Sequence, residues 1–243
     1  MEKAGVALLL AAGVVWLVAL FLLLDSRRAS PNSSPLSLTV DGCEMRLEVL
    51  HRDPVIRVVR GFVSRDEAAE VIERYAHLLR RSTVANSNNE TKNSEHESRT
   101  SHSAFLPAGS EQDPLVSKIE ERAVAITGKN LQDMETLQLV RYQGGSQYYR
   151  HHYDYFHNNP ESQRTTTIFV YLNDTNGEGP TNFSKLRLDV FPETGKACVW
   201  ENCYASGRGT KCDDRLEHAG VSLKSSDAVK YGLNIWFRTL PFR

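Results

Sequence analysis

Tyr148-Tyr-Arg-His-His-Tyr-Asp-Tyr-Phe156 and Arg164-Thr-Thr-Thr-Ile-Phe-Val-Tyr-Leu-Asn-Asp174 are the two stretches that decide how this chain reads. Both are dense in aromatic and β-branched residues and end at turn-forming ones, so each predicts a strand. Along a strand, side chains two residues apart point the same way. His152 and Asp154 can therefore grip one ion without bending the backbone. Two imidazoles and one carboxylate on one face of an octahedral Fe(II) leave three positions for a cosubstrate and dioxygen. His-x-Asp alone is a weak pattern, so its surroundings must carry the reading.

Working outward, short β-rich runs follow one another from Leu137, at 137–142, 148–153, 165–172, 186–190, 197–200 and 233–238. Turn signals separate them: Gly144-Gly145, Asn173-Asp174, residues 177–180 and residues 192–195. Upstream the texture differs. Two strand-like runs, 45–50 and 55–59, precede a helix that Ser64 and Glu67 start as a capping box. Its stripe is Ala68, Val71, Ile72, Tyr75, Leu78 and Leu79 at helical spacing. Residues 82–97 are almost wholly polar and predict a mobile loop. A second helix has Asp113 as N-cap, Pro114 at its first position and Gly128 as its stop. Helices first and many short strands after predict an α+β domain whose β part is a sandwich or jelly roll.

The chain has 243 residues and a net charge of −1, with nothing that points to nucleic acid. Residues 4–24 are an unbroken apolar run, long enough to span a hydrocarbon core of about 30 Å. A cleavable signal has a shorter apolar core, so the run predicts a retained signal-anchor transmembrane helix. The expected layout is 1–25 anchor, 26–40 a Ser/Pro/Arg-rich stalk, and 41–243 the folded domain. Asn-x-Ser/Thr sequons at Asn32, Asn89, Asn173 and Asn182 favour a lumenal domain. Cys203 and Cys212 bracket a Gly/Ser/Arg-rich loop and could close it by a disulfide, while Cys43 stands far upstream and Cys198 nearby.

Beyond the metal pair, His218 precedes two small residues, Ala219 and Gly220, which let the backbone approach an ion closely. By itself it reads equally as a surface-loop histidine. Such an iron needs a two-electron reductant, and 2-oxoglutarate can serve by chelation if a cation meets its far carboxylate. Lys230 can supply that charge, although spacing alone favours an edge-strand surface lysine. His151 alternates away from His152, and His157 falls in a loop, so neither is expected to be a ligand.

Taken together these segments resemble the prolyl 4-hydroxylases of the collagen and plant cell-wall type, which are Fe(II)/2-oxoglutarate dioxygenases. The resemblance covers roughly residues 54–240. It rests on Ser98-Arg-Thr-Ser-His-Ser-Ala-Phe-Leu106, on Leu139-Val-Arg-Tyr142 leading into His152-Tyr-Asp154, and on Arg164 to Asp174. It continues through Pro192-Glu-Thr-Gly195, His218-Ala-Gly220 and the closing stretch from Lys230 to Arg238. The resemblance implies a double-stranded β-helix (jelly roll) with N-terminal supporting helices, preceded here by the transmembrane helix. It implies that His152, Asp154 and His218 bind Fe(II). Lys230 would pair with the 5-carboxylate of 2-oxoglutarate, with Tyr142 and Thr181 as hydroxyl partners. Tyr149, Arg164 and Trp236 would line a groove for a Pro-rich peptide, which an aromatic surface suits. Ascorbate would rescue oxidised iron. The chain departs from the family pattern at Glu178-Gly-Pro-Thr181 and at Trp236-Phe-Arg238, where many members have Trp-x-His.

The expected function is therefore peptidyl-proline 4-hydroxylation, with the catalytic domain lumenal in the endoplasmic reticulum or Golgi as a single-pass type II membrane protein. Three rivals stand beside it. One is the same chemistry on another residue or a small substrate. Another is a silent peptide-binding module, against which the intact triad and Lys230 argue. The third is a zinc hydrolase, which lacks an obvious general base nearby.

Overall fold

Every residue of the Arg164–Tyr171 strand after Arg164 is buried, and the other layers are arranged around it. The computed structural model describes residues 35–86, 89–107, 113–157, 161–206 and 209–242. Arg164–Tyr171 pairs antiparallel with Ala197–Glu201 on one side and Val229–Arg238 on the other. The sheet continues through Val55–Arg60, Cys43–Arg52 and Leu36–Val40 at one end. At the other it continues through Gln138–Gln143, His102–Phe105 and Arg80–Arg81. A smaller sheet orders Leu188–Val190, Thr181–Phe183, His218–Gly220 and Tyr149–His152.

Alternation along the central strands divides the core. Ile168, Val170, Leu233, Ile235 and Phe237 face one side and pack with the helices Arg65–Tyr75 and Pro114–Thr127. Phe169, Tyr171, Val140 and Tyr142 face the other side and pack with Phe183, Val190 and Leu216. The molecule is thus helices on a large sheet on a small sheet, an α+β jelly roll with its supporting helices N-terminal. Because both faces of the large sheet are covered, its strands read as continuous apolar runs.

Both predicted helices form where their caps place them. The Ser64 hydroxyl accepts from the Glu67 amide while the Glu67 carboxylate accepts from the Ser64 amide. Asp113 caps Pro114–Thr127, and Gly128 ends it at φ 67°. Arg122 ties the helices to the sheet, pairing with both Asp41 and Glu67 at 2.8 and 2.7 Å.

Two expectations change. Much of the polar stretch 82–97, expected as a mobile loop, is a hairpin of Thr83–Asn86 and Asn89–Glu95. A polar two-stranded ribbon satisfies its own backbone without an apolar face, so it leaves no alternation to read. Leu36–Val40 overlaps the segment expected as a stalk, yet it is a strand of the large sheet paired with Cys43–Arg52. Its apolar alternation is short and half-buried. The apolar run 4–24 lies outside the described residues, as does Asn32. Among the described residues no helix is long and apolar enough to cross a membrane.

Cys203 and Cys212 are bonded across the hairpin of Cys203–Ser206 and Gly209–Cys212. The Asn173 amide donates to the Val229 carbonyl and its oxygen accepts from the Tyr231 amide, at 2.7 and 2.6 Å. Asn182 likewise bonds Asp189 and His151. Both sequon side chains are therefore committed to internal structure.

Candidate metal and cosubstrate site

The metal-ligating atoms of His152, Asp154 and His218 all lie within 4.8 Å of one another. Their strands explain the convergence. His218 pairs with His152 across the small sheet, and Asp154 follows two residues after His152, just past the strand end. Asp154 Oδ1 is 3.8 Å from His152 Nε2, and Oδ2 is 3.6 Å from His218 Nε2.

Hydrogen bonds set the protonation of both imidazoles. His152 Nδ1 meets the Arg150 carbonyl at 2.8 Å, and His218 Nδ1 meets the Leu216 carbonyl at 3.0 Å. A carbonyl oxygen only accepts, so each Nδ1 carries a proton and each Nε2 is the nitrogen turned toward the centre. Burial, with the adjacent His218 adding to it, drives the His152 pKa down to about 3, which keeps the ring neutral. Ring packing fixes the planes: Tyr149 stacks on His152 at 3.5 Å, and Trp200 meets His218 edge-on at 4.9 Å.

Asp154 is held from behind. The Thr167 hydroxyl donates to Oδ2 at 2.7 Å and in turn accepts from Asn202 at 2.8 Å. Burial alone would raise this carboxyl, but His218, His152, Arg164 and the Thr167 bond outweigh it and hold the pKa below its ordinary value. Two imidazoles and one carboxylate form the donor set of a non-haem Fe(II) facial triad. The residues fit that ion.

The triad opens into a cavity of about 440 Å³, including its mouth. At the other end of this cavity Lys230 is 1% exposed. Its ammonium donates to the Gly179 carbonyl at 2.6 Å and lies 4.6 Å from the Tyr142 ring, with no carboxylate partner among the described residues. Burial pushes its pKa down to about 7. A cation buried beside only carbonyls and a ring is suited to an anionic guest. The surface-lysine reading of Lys230 is thereby excluded. Thr181 and Tyr142 also line the cavity, and the Thr181 hydroxyl is hydrogen-bonded to the Tyr171 hydroxyl at 2.8 Å, which also reaches the Val190 carbonyl at 2.9 Å. A metal triad at one end and an uncompensated lysine at the other fit a dianionic chelator such as 2-oxoglutarate.

Of the three expected groove residues, Tyr149 and Trp236 line the cavity. Arg164 stands one layer back, its guanidinium 3.8 Å from the Trp236 ring and bonded twice to Glu135. His151 points away to Asn182, as its alternation predicts. Sequence reasoning missed Arg99, Phe169, Trp200 and Asn234 in the lining. It also missed the Thr167–Asn202 relay. Only Arg99 had a signal, in its Arg-Thr-Ser context.

The family model described as the 2OG-Fe(II) oxygenase superfamily matches residues 137–238. Prolyl 4-hydroxylase subunit alpha-3 of Rattus norvegicus is 31% identical over 214 residues, which is 84% of this chain and 37% of the rat protein. The Homo sapiens subunit alpha-3 is 31% identical over 201 residues, 79% of this chain and 35% of that protein. Among solved structures, a viral collagen prolyl hydroxylase from Paramecium bursaria Chlorella virus-1, in its 2OG complex, superposes with a TM-score of 0.59 at 25% identity. That match covers 76% of this chain and 96% of the viral one. Fold and site define an Fe(II)/2-oxoglutarate oxygenase. Within that class, the relatives that this chain matches here are prolyl 4-hydroxylases. It spans little more than a third of the length of the mammalian relatives, 37% of the rat protein.

Proposed function

We propose that this chain is a peptidyl-proline 4-hydroxylase that couples oxidation of 2-oxoglutarate to hydroxylation of proline in Pro-rich or collagen-like polypeptides. The observation that carries the reading is the pairing, in one cavity, of a two-histidine, one-carboxylate triad with a buried lysine that has no acid partner among the described residues. His152, Asp154 and His218 would hold the iron, which when bound supplies the oxygen activation. Lys230 would take the far carboxylate of the cosubstrate, and the Tyr142 and Thr181 hydroxyls would orient it. Tyr149 and Trp236 form aromatic walls on which a proline ring can lie, and Arg164 braces Trp236 from behind. These walls exclude water and fix the target carbon, which is the protein's share of the rate. Ascorbate is the proposed reductant for oxidised iron.

The test is succinate release with Fe(II) across Pro-rich peptides, followed by mass spectrometry to locate the added oxygen. Succinate coupled to 4-hydroxyproline supports the reading. Oxygen found on another residue assigns the site a different substrate, and tight peptide binding without succinate makes it a silent binder. His152→Ala or Asp154→Ala should abolish coupled turnover while the circular dichroism spectrum is retained.

The proposed setting is the membrane of the endoplasmic reticulum or Golgi, type II, with residues 41–243 lumenal. The apolar run 4–24 supports an anchor, and the Cys203–Cys212 bond suits an oxidising lumen. Carbonate extraction and protease protection of the full chain test this; release into the soluble fraction would overturn the anchor. With Asn173 and Asn182 committed internally, glycans are expected only at Asn32 or Asn89.

A further inference from the structure

The even-numbered residues of Val229–Arg238 share one face of the strand: Lys230, Asn234 and Trp236 line the cavity, and Arg238 follows beyond the lining. Beyond the cavity lining, aromatic and guanidinium groups alternate in contact. Arg164 lies 3.8 Å from the Trp236 ring and 5.2 Å from Phe156, and Arg238 lies 4.7 Å from Phe156 and 5.4 Å from Phe242. Glu135 binds both guanidiniums, with Arg238 Nε at 2.5 Å from the same oxygen that Arg164 Nε reaches at 2.7 Å. Ser162 takes Arg238 Nη1 at 3.0 Å. Neither Arg238 Nη2 nor Arg164 Nη1 has a hydrogen-bond partner among the described residues.

Charge is unbalanced here. Arg99 is 6% exposed, lines the cavity and bonds Gln138, Ser101 and the Thr83 carbonyl, with no acid among the described residues. Arg164 and Arg238 share the carboxylate of Glu135, and the other acid that acts on Arg164, Asp154, belongs to the metal triad. Arg238 Nη2 and Arg164 Nη1 thus remain as donors without a partner among the described residues.

Resting on the proline reading above, we propose that Arg238 is a specificity-determining residue that selects a proline with an acidic side chain about two residues away. The spacing follows from the strand. Trp236 and Arg238 are two residues apart on one face, about 6.8 Å, close to two residues of a polyproline II peptide at ~3.1 Å each. With the proline ring on Trp236, a Glu or Asp two positions along meets the free donors of Arg238, and Arg164 lies between them. Phe242, 49% exposed and tied through its amide to the Gln132 carbonyl, closes the outer end of the wall.

The experiment uses the full chain loaded with Fe(II) and 2-oxoglutarate, and three Pro-rich peptides. They differ in carrying glutamate, alanine or lysine two residues to either side of the target proline. Peptide binding is followed by fluorescence anisotropy and hydroxylation by mass spectrometry. The glutamate peptide should have a KM and dissociation constant about tenfold below those of the alanine peptide, as for a charge-assisted hydrogen bond. The lysine peptide should be weakest, and the spread should narrow as salt is raised. Arg238→Gln should collapse the glutamate preference to less than about threefold, and Arg238→Lys should restore part of it. Neither should change the 2-oxoglutarate dissociation constant, which separates a groove effect from a damaged cavity. Equal binding and turnover of the three peptides by the unaltered protein overturns the proposal, and so does a preference that survives Arg238→Gln. The proline reading fails in a different way, when metal and 2-oxoglutarate bind but no proline gains oxygen.

Discussion

Lys230 has the most demanding environment of any single residue in the site. It holds an amino group with carbonyls for partners, and burial brings its pKa to about 7 from an ordinary 10.5. Two outcomes follow from that shift. Between pH 7 and 10.5 the unfolded chain keeps this proton and the folded one gives it up, so the lysine's penalty on the ligand-free fold eases as pH rises. Lys230→Met should therefore raise the melting temperature of the ligand-free protein by several degrees near pH 7, and the gain should shrink toward pH 10. Calorimetry across that range checks it, and a Met variant less stable than the parent at neutral pH would contradict it. Affinity for 2-oxoglutarate runs the other way, because the carboxylate needs the protonated amine. It should fall about tenfold per pH unit above roughly 7, until the pKa of the bound lysine is reached. The same logic reaches the residues behind the triad. Thr167→Val removes the donor to Asp154 and leaves Asn202 without its acceptor, so metal affinity should drop about 10–100-fold, read by competition with a chelator. His152, Asp154, His218 and Lys230 were legible because only a few residue types can do their work, and their order in the chain was distinctive. Thr167, Asn202 and Arg99 were far less so: a buried threonine or asparagine is an ordinary strand residue until its neighbour across the fold is known.

Elements divide in the same way between those that carry their own signal and those that borrow it. Both helices announce their starts through side-chain caps, Ser64 with Glu67 and Asp113, the second stops at a left-handed glycine, Gly128, and both form at those residues. Long strands such as Val229–Arg238 are apolar enough to read directly. Thr181–Phe183 and His218–Gly220 are three residues each, too short for any period, and exist because flanking strands supply their hydrogen bonds. Leu36–Val40 similarly depends on Cys43–Arg52 and on the helix behind it. Arg122 carries that dependence: it is 3% exposed, bonds Asp41 in the turn joining those two strands, and bonds Glu67 in the first helix turn. Arg122→Ala removes the guanidinium from Asp41 and the Phe62 carbonyl and leaves Glu67 only the Ser64 amide, so unfolding stability should fall by about 3–5 kcal/mol. Denaturant titration measures the loss. Hydrogen exchange should show protection lost first at residues 36–52, while the small sheet around the triad keeps its own.

At the scale of the molecule, the site is a seam between two layers. His152 and His218 belong to the small sheet, with Asp154 at its edge, whereas Lys230 and Tyr142 belong to the large one. Metal alone engages only the small-sheet side. A chelating dianion that also meets Lys230 ties the two sheets together and removes an uncompensated buried cation in the same event. Ligand that binds only the folded state stabilises it by RT ln(1 + [L]/Kd), about 2.7 kcal/mol at one hundred times Kd, or roughly 5–10 °C for a chain of this size. Redox-inert Mn(II) in place of iron allows this to be read without turnover. Mn(II) alone should raise the melting temperature modestly, and 2-oxoglutarate should add a second, larger increment only when metal is present. A chelator should erase both. In Lys230→Met the metal increment should remain and the 2-oxoglutarate increment should vanish, whereas in His218→Ala both should be lost. An equal 2-oxoglutarate increment in the Lys230→Met protein would mean that the cosubstrate does not span the seam.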